Sequence, residues 1–273
     1  MKRILTIQDI SCVGQCSLTV ALPIISSFGI EASVIPTAVL STHTAFQNFT
    51  FCDLTEELPK IEAHWKGEKL TFDGFYTGYI GSTKQIDYII SILSNLSGPT
   101  AVKVIDPCMA DHGKLYPGFS SDFPKHMLKL CKQADVLLPN LTELCLLLDV
   151  EYKEYAKDEL EQLVKKLGEA TSASVVLTGV SFQEDKLGAL TYDKDKNTIS
   201  YFFTDRVPTM FHGTGDCFAS AFFGAVVKGY SYQEAAKIAC EFTYMAVKNT
   251  EPFQDKHWYG VYFESALSYL TNL

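Results

Sequence analysis

The tetrapeptide Gly213-Thr214-Gly215-Asp216 combines the residue types that bind a phosphoryl group and activate a hydroxyl. It begins an apolar segment with helical spacing, residues 216–228. Two glycines let the backbone turn tightly and approach a ligand, and the free N–H groups of a helix's first turn favour an anion. Asp216 stands beside this cradle and could take the proton of an attacking hydroxyl. In the alternative interpretation, Asp216 is only a favourable charge at a glycine-rich helix N-terminus.

Two further carboxylates, Asp106 and Glu143, each follow a predicted strand. Phosphoryl donors arrive as magnesium complexes, and Mg²⁺ binds one or two carboxylates together with water and phosphate oxygens. A pair of acidic side chains near the strand ends suits that chemistry. The structural alternatives are a turn residue before Pro107 for Asp106 and a first-turn helix charge for Glu143.

Other nucleotide and metal signatures are missing from the sequence. There is no Walker sequence G-x-x-x-x-G-K-[ST], so a P-loop enzyme is not predicted. No G-x-G-x-x-G follows the first strand, which argues against a dinucleotide dehydrogenase. The eight cysteines form no C-x-x-C pair and no His cluster accompanies them, so they are predicted to be reduced, mostly buried thiols rather than zinc ligands.

The composition fits one large α/β domain or two small ones. The chain has 273 residues, 47% of them hydrophobic, which is ample for a buried core. Its formal net charge of −9, with no Lys/Arg run, predicts no nucleic-acid or anionic-membrane partner. No apolar run approaches the roughly 20 residues that span a bilayer. The apolar stretch at residues 1–7 is too short for a signal peptide, so a cytoplasmic protein is expected.

Strand and helix patterns alternate over most of the chain. Apolar or β-branched runs predict strands at residues 3–8, 33–40, 72–77, 101–105, 135–138 and 174–178. Helical spacing predicts helices at residues 17–28, 55–68, 86–96, 123–131, 141–148 and 158–170, the first with a kink or a late start at Pro23. A β-hairpin at residues 188–203 and helices at 216–228, 232–248 and 262–270 follow. Repeated βαβ units predict a single α/β domain, residues 1–273, with a mostly parallel central sheet, helices on both faces and a late β-hairpin.

Ligands of an open parallel sheet bind at the carboxyl ends of its strands. Six short, mostly polar groups of residues come just after the predicted strands, at 8–11, 41–44, 79, 106–107, 139–143 and 178–179. Five of the six groups contain an ionisable side chain. The sequence therefore predicts a ligand site at that edge of the sheet.

The whole chain resembles the ribokinase-like superfamily and, within it, the pyridoxal (vitamin B6) kinases. The superfamily's G-x-G-D anion-hole motif matches the tetrapeptide that ends at Asp216. The vitamin B6 branch is indicated, in the family's order, by Ser41-Thr42-His43-Thr44, Gly78-Tyr79-Ile80-Gly81-Ser82, Asp106-Pro107-Cys108-Met109 and Pro139-Asn140-Leu141-Thr142-Glu143-Leu144.

This resemblance implies that ATP phosphorylates the 5′-hydroxyl of pyridoxal, pyridoxine or pyridoxamine. It implies Mg²⁺ as a cofactor and a homodimer as the assembly, and it leaves a monovalent-cation requirement open. By position, Asp216 resembles the base, and the anion hole is formed with it by Gly213, Thr214 and Gly215. The positions around ATP, its phosphates and magnesium are Asp106, Asn140, Glu143 and Thr178, of which Asp106 and Glu143 are the metal candidates.

The resemblance also places the contacts to the pyridine ring, at Asp9, Ser11, His43, Thr44 and Tyr79. Many relatives have Ser where Asp9 stands, so the preferred vitamer stays open; a carboxylate there could favour the amine of pyridoxamine or a protonated ring nitrogen. His43 could instead be a hydrogen-bonded core histidine, and Tyr79 a packing aromatic. Residues 110–116 resemble a mobile flap over the substrate.

Two other functions compete with a B6-vitamer kinase. One is another ribokinase-like kinase, acting on a hydroxymethylpyrimidine or a sugar. Sugar kinases usually add a lid of extra strands between early sheet strands, whereas residues 41–71 here are mostly one helical pattern. The other is a non-catalytic vitamer- or nucleotide-binding protein, which would have no need of a base at Asp216.

Overall fold

A nine-stranded sheet runs through the centre of the computed structural model, which describes residues 2–273. The strands are β1 (Arg3–Ser11), β2 (Glu31–Leu40), β3 (Phe51–Asp53), β4 (Phe72–Thr77), β5 (Ser97–Ile105), β6 (Ala110–Asp111), β7 (Lys114–Leu115), β8 (Val136–Leu137), β9 (Ser174–Val180), β10 (Lys186–Asp193) and β11 (Thr198–Asp205). The α-helices are α1 (Leu18–Ser27), α2 (Leu58–Gly67), α3 (Thr83–Asn95), α4 (Phe123–Cys131), α5 (Leu141–Leu148), α6 (Lys157–Thr171), α7 (Thr214–Lys228), α8 (Tyr232–Thr250) and α9 (Leu267–Thr271).

The strands of the sheet follow the spatial order β11-β10-β9-β8-β5-β4-β1-β2-β3. The six strands from β9 to β2 are parallel, whereas β10, β11 and β3 are antiparallel to their neighbours. β6 and β7 pair only with each other, in a small antiparallel hairpin. The predicted fold class, a mostly parallel sheet with a late β-hairpin, is confirmed.

Helices cover both faces of the sheet, and each face has its own apolar core. Phe222 and Phe242 represent the core that α1, α7 and α8 form with one face. Ile89, Met127 and Leu144 represent the core that α2 to α6 form with the other face. Strands that are covered on both sides must be apolar almost throughout, which is why their sequences read as continuous hydrophobic runs.

The chain reverses direction beside β1, and this reversal locates the site. It first runs from β1 through α1 to β2 and β3, and it then crosses back to form β4 on the other side of β1. α1 packs with α7, whereas α3 packs with α2 and α4 on the opposite face. The connections therefore diverge at the carboxyl ends of β1 and β4, a topological switch point where open α/β sheets bind ligands.

Several predicted elements are confirmed to the residue, namely β4, α4 and α5. Among the predicted strand ends that are wrong, two adjoin candidate site residues. β1 continues to Ser11, so Asp9 lies within the strand rather than after it. β9 continues to Val180, so Thr178 also lies within a strand. Both side chains still belong to the carboxyl ends of their strands, where a parallel sheet presents side chains to ligands.

Three other features differ from the predictions. α1 begins at Leu18 and continues past Pro23, so the late start does not occur. The predictions do not include the strands β3, β6 and β7. Each has only two or three residues, too few to show an alternating pattern. Residues 262–270 form a 3₁₀ turn, Phe263–Ala266, and a short α9 rather than one helix.

The cysteines are less buried than the sequence predicts. All eight are unpaired; four are buried, two are exposed (Cys12 and Cys52), and two are partly buried. Cys217 is fully buried in the core of α7, as expected for a packing residue. Across residues 2–273, no helix has the length and apolar character needed to cross a membrane.

Candidate active site

The N-terminus of α7 forms a turn with unengaged backbone amides. Gly213 precedes the helix with a left-handed φ of 81°, and its carbonyl accepts the Cys217 amide at 3.0 Å. No side chain in the described part of the chain caps this turn. The N–H groups of Thr214, Gly215 and Asp216 have no partner within the helix, and the helix dipole favours an anion in front of them.

The two glycines of this turn serve different physical purposes. A β-carbon at Gly213 would lie 1.7 Å from the carbonyl oxygen of Gln15, so the loop after β1 presses directly on the start of α7. A β-carbon at Gly215 would meet no atom within 4 Å. Gly213 therefore permits a close contact between two segments of the chain, and Gly215 keeps one side of the turn accessible to a ligand.

Asp216 is partly buried beside these amides. The pKa of its carboxyl group is raised to about 7, because burial, together with the charge of Asp9, outweighs the lowering effect of the Ser17 backbone amide. A carboxyl group with this pKa exchanges its proton near neutral pH. That property suits a general base.

Asp106 and Glu143 lie in the same buried region as Asp216. Burial raises the pKa of Asp106 well above its usual range, and the charges of Glu143 and Asp216 raise it further. Its Oδ1 accepts the Cys108 amide at 3.0 Å. Within residues 2–273, no group of three or more His, Cys, Asp or Glu side chains could hold a metal by itself. The chemistry of Asp106 fits Mg²⁺, since its Oδ2 is a carboxylate oxygen with no hydrogen-bond donor among the described residues, and Mg²⁺ binds one or two carboxylates together with water and phosphate.

Glu143 uses both carboxylate oxygens within the protein. Its Oε1 accepts the amides of Met109 at 2.9 Å and Ala110 at 3.4 Å, and its Oε2 accepts the Asn140 amide at 3.0 Å. Burial raises its pKa to about 7, and these three amides oppose the shift. Asn140 and Glu143 also form a capping box for α5. The helix-capping alternative for Glu143 is therefore present in the structure, and its predicted role near magnesium stays a prediction.

The other two positions predicted to be near ATP also make internal hydrogen bonds. The Nδ2 of Asn140 donates to the carbonyl of Ala110 at 2.8 Å. The hydroxyl and amide of Thr178 both donate to the Pro139 carbonyl, at 3.3 and 2.9 Å. Their side chains border the carboxyl ends of β8 and β9, next to α5, and their contact with a nucleotide stays a prediction.

On the substrate side, Asp9 is buried under two hydroxyl groups. Its Oδ1 accepts Ser17 Oγ at 2.6 Å and its Oδ2 accepts Ser11 Oγ at 3.0 Å. Burial raises the pKa of Asp9 in spite of these hydrogen bonds. Because each hydroxyl gives its single proton to Asp9, it can only accept from another group. A ligand that contacts these hydroxyls must therefore donate a hydrogen bond to them.

His43 uses both ring nitrogens on backbone groups. Nε2 lies 2.7 Å from the Tyr259 carbonyl, and Nδ1 accepts the Ala45 amide at 3.2 Å. These partners assign the proton to Nε2. The hydrogen-bonded core histidine, the alternative interpretation, matches this geometry. Thr44 is exposed on the same loop.

Tyr79 follows β4 and is partly buried. Its ring stacks on Phe119 with centroids 5.6 Å apart. Burial raises the pKa of its hydroxyl to about 12, and the charges of Asp9 and Cys108 contribute. Tyr79 thus packs as the alternative requires, and it also lies close enough to Asp9 for the charge of Asp9 to raise its pKa.

Sequence reasoning missed two residues of this region. Ser17 connects Asp9 to the neighbourhood of Asp216, and its φ of 55° lies in the left-handed region. Cys108 has a φ of 27° and lies within reach of the charges of Asp106 and Asp216. A serine at a predicted helix start reads as an ordinary cap, and nothing in the sequence around Cys108 indicates its backbone conformation.

The fold, the anion-binding turn and the converging carboxyl groups define a kinase of ribokinase-like fold that acts on a small molecule. The chain belongs to the phosphomethylpyrimidine kinase family, whose model matches residues 25–260.

Its similarity to solved structures extends over nearly the whole chain. A candidate phosphomethylpyrimidine kinase from Bacteroides thetaiotaomicron, crystallised with pyridoxal, is 36% identical with a TM-score of 0.94, covering 98% of this chain and 95% of that chain. Pyridoxal kinase from Lactobacillus plantarum is 31% identical with a TM-score of 0.92, covering 100% and 97%. Pyridoxal kinase from Arabidopsis thaliana is 26% identical, covering 81% of this chain and 73% of that protein. The predicted relationship to the pyridoxal kinases is confirmed.

Replacing Gly213 by Ala should lower the free energy of unfolding more than left-handed backbone strain alone. That strain costs roughly 1–2 kcal/mol for a residue with a β-carbon, and the added carbon would also meet the Gln15 carbonyl at 1.7 Å. Chemical denaturation measures the loss.

Gly29→Ala is the matched control, since Gly29 has a φ of 74° and a β-carbon there would meet no atom within 4 Å. Equal losses in the two variants would contradict a tight contact between the start of α7 and the loop after β1.

Proposed function

We propose that the protein transfers the γ-phosphoryl group of ATP to the 5′-hydroxyl of a B6 vitamer: pyridoxal, pyridoxine or pyridoxamine. The observation that carries this proposal is the start of α7, where accessible backbone amides adjoin a carboxyl group, Asp216, whose pKa is raised to about 7. The 36% identical relative crystallised with pyridoxal and the 31% identical pyridoxal kinase support the choice of substrate.

In the proposed reaction, the vitamer's hydroxyl oxygen attacks the γ-phosphorus and passes its proton to Asp216. The first-turn amides of α7 stabilise the negative charge on the transferred group. Bound Mg²⁺ would neutralise charge on the phosphate oxygens. Asp106 would hold the ion or its water, since the Cys108 amide engages only Oδ1, and Glu143 would add its charge from beside it. Asn140 and Thr178 would border the phosphates of ATP.

A hydroxymethylpyrimidine is the second candidate substrate, because the family model that matches residues 25–260 is that of phosphomethylpyrimidine kinase. A thiamine biosynthetic bifunctional enzyme of Arabidopsis thaliana is also 25% identical over 89% of this chain, although the match covers only 46% of that protein. Both candidate substrates present a hydroxymethyl group on a heteroaromatic ring, so the same base and anion hole would serve either.

The remaining expectations come from the sequence pattern and from its resemblance to the pyridoxal kinases. They are a single domain over the chain, a homodimer, a cytoplasmic location, and a monovalent-cation requirement that is left open.

ATP consumption by the purified protein across a panel of acceptors tests the proposal. The panel contains the three B6 vitamers, hydroxymethylpyrimidine and ribose. We expect the highest kcat/KM with a B6 vitamer. A higher kcat/KM with the pyrimidine would make hydroxymethylpyrimidine the assigned substrate and leave the proposed mechanism unchanged. If no acceptor is phosphorylated, the kinase proposal is contradicted.

Replacing Asp216 by Asn should lower turnover by about 10²- to 10⁴-fold, the contribution of a positioned base. In the unchanged protein, turnover should rise with pH through about 7, because the base works only after its carboxyl group has lost the proton. Steady-state rates between pH 5.5 and 9 measure both effects, and a titration with ADP measures nucleotide affinity, which should change little.

The melting temperature of the Asp216→Asn variant is the control that shows whether the variant is folded. Since burial disfavours the charged carboxylate, the variant should melt at or above the wild-type temperature at pH 8, where the wild-type group is ionised. Near-normal turnover in a folded variant would remove Asp216 from the role of base.

Replacing Asp106 by Asn should raise the Mg²⁺ concentration needed for half-maximal turnover about tenfold or more, because a neutral amide is a poorer Mg²⁺ partner than a carboxylate. A magnesium titration at fixed ATP measures this. Asp111→Asn is the matched control, since Asp111 is exposed on the nearby hairpin. An unchanged titration for Asp106→Asn would favour the turn-residue interpretation of Asp106.

A further inference from the structure

The hairpin of β6 and β7 is too short to be stable by itself. Its strands pair through only two residue pairs, Ala110 with Leu115 and Asp111 with Lys114. His112 and Gly113 connect them, with φ values of 50° and 76°, as a two-residue hairpin loop of type I′ requires. An isolated two-stranded hairpin is marginal even with longer strands. Contacts with the rest of the protein must therefore hold this one in place.

The first turn of α5 supplies those contacts. Four hydrogen bonds connect it to the hairpin: Met109 N to Glu143 Oε1 (2.9 Å), Ala110 N to Glu143 Oε1 (3.4 Å), Asn140 Nδ2 to Ala110 O (2.8 Å) and Gly113 N to Thr142 Oγ1 (2.9 Å). The first three fix the beginning of the hairpin. The bond to Thr142 is the one of the four that reaches the turn, where the ring of Tyr152 also lies close to Gly113.

Both ends of the hairpin adjoin the candidate active site. Cys108, two residues before the hairpin, donates its amide to Asp106 Oδ1 at 3.0 Å. Tyr116, immediately after it, donates its amide at 2.9 Å to the carbonyl of Met109, whose own amide donates to Glu143 Oε1. A shift of the hairpin would therefore move residues that border the phosphoryl-transfer site.

We propose that Thr142 is a positioning residue for the acceptor substrate: by accepting the Gly113 amide, its hydroxyl holds the turn of the hairpin whose two ends border the site. This inference rests on the proposed function. Thr142 carries no charge, and its side chain is buried between α5 and the hairpin. It acts through the hairpin and not on the metal or the phosphates, which distinguishes it from its neighbours Asn140 and Glu143.

Loss of the Thr142 hydroxyl should release the hairpin without unfolding the protein. His112 and Lys114, on either side of Gly113, are exposed. When its partner is removed, the Gly113 amide can move a short distance to water instead of staying buried and unsatisfied. The expected consequence is local, an opening of residues 109–115.

Thr142→Val tests the proposal, because it removes the hydroxyl and keeps the shape of the side chain. We expect the KM for the vitamer to rise about five- to tenfold, the factor that the loss of one hydrogen bond gives. kcat, the KM for ATP and the magnesium titration should each stay within twofold. Hydrogen exchange at residues 109–115, measured without ligands, should be at least fivefold faster.

Two variants control this experiment. Thr142→Ser restores the hydroxyl and should restore both the KM and the exchange rate. Thr171→Val removes another buried helical hydroxyl, which bonds the Leu167 carbonyl in α6 away from the hairpin. It should change neither quantity.

Unchanged exchange in Thr142→Val would overturn the proposal, as would faster exchange with an unchanged vitamer KM. A loss confined to kcat or to the magnesium titration would also overturn it, since Thr142 would then act on phosphoryl transfer. An equal effect of Thr171→Val would show general destabilisation instead. If the wild-type protein phosphorylates no vitamer, the proposed function fails, and the exchange measurements still decide whether Thr142 holds the hairpin.

Discussion

The active-site region depends on the burial of three carboxyl groups in one place. Like charges in a poorly solvated region repel each other, and each group must be balanced by protons, hydrogen-bond donors or a cation. Three backbone amides balance Glu143, and the Ser17 amide opposes the pKa shift of Asp216. Asp106 accepts one amide and its pKa is raised well above the usual range. A divalent cation bound beside Asp106 would supply part of this balance.

Unusual backbone conformations occur in the same region. Ser17, Cys108 and Gly213 all have φ values between 27° and 81°. Left-handed or sparsely populated conformations cost about 1–3 kcal/mol each for residues with a β-carbon. At Ser17 the surroundings hold the conformation, since its hydroxyl donates to Asp9 while its amide lies near Asp216. The loop after β1 is thereby fixed to both Asp9 and Asp216.

The sequence predicts the fold well because long apolar runs and helical spacing are local signals. It also identifies the turn before α7, since Gly213 and Asp216 are recognisable by residue type. The hydrogen-bond partners of the polar side chains in the site are not indicated by the residues next to them in the sequence. Asp9 looks like a ligand contact in the sequence, whereas the structure buries it beneath Ser11 and Ser17, which are two and eight positions away. His43 is similar, because its partner Tyr259 lies 216 residues further along the chain.

The hairpin beside the site illustrates how short elements can respond to a ligand. A flap with a core of its own would keep its position whether or not substrate is bound. A hairpin with two residue pairs instead takes its position from α5, whose first turn also carries Glu143 and Asn140. Charge brought to Glu143 by a metal–nucleotide complex would compete with, or strengthen, the same carboxylate's bonds to Met109 and Ala110. The first turn of α5 and the start of the hairpin thus share one set of hydrogen bonds, so a change at Glu143 reaches the hairpin directly.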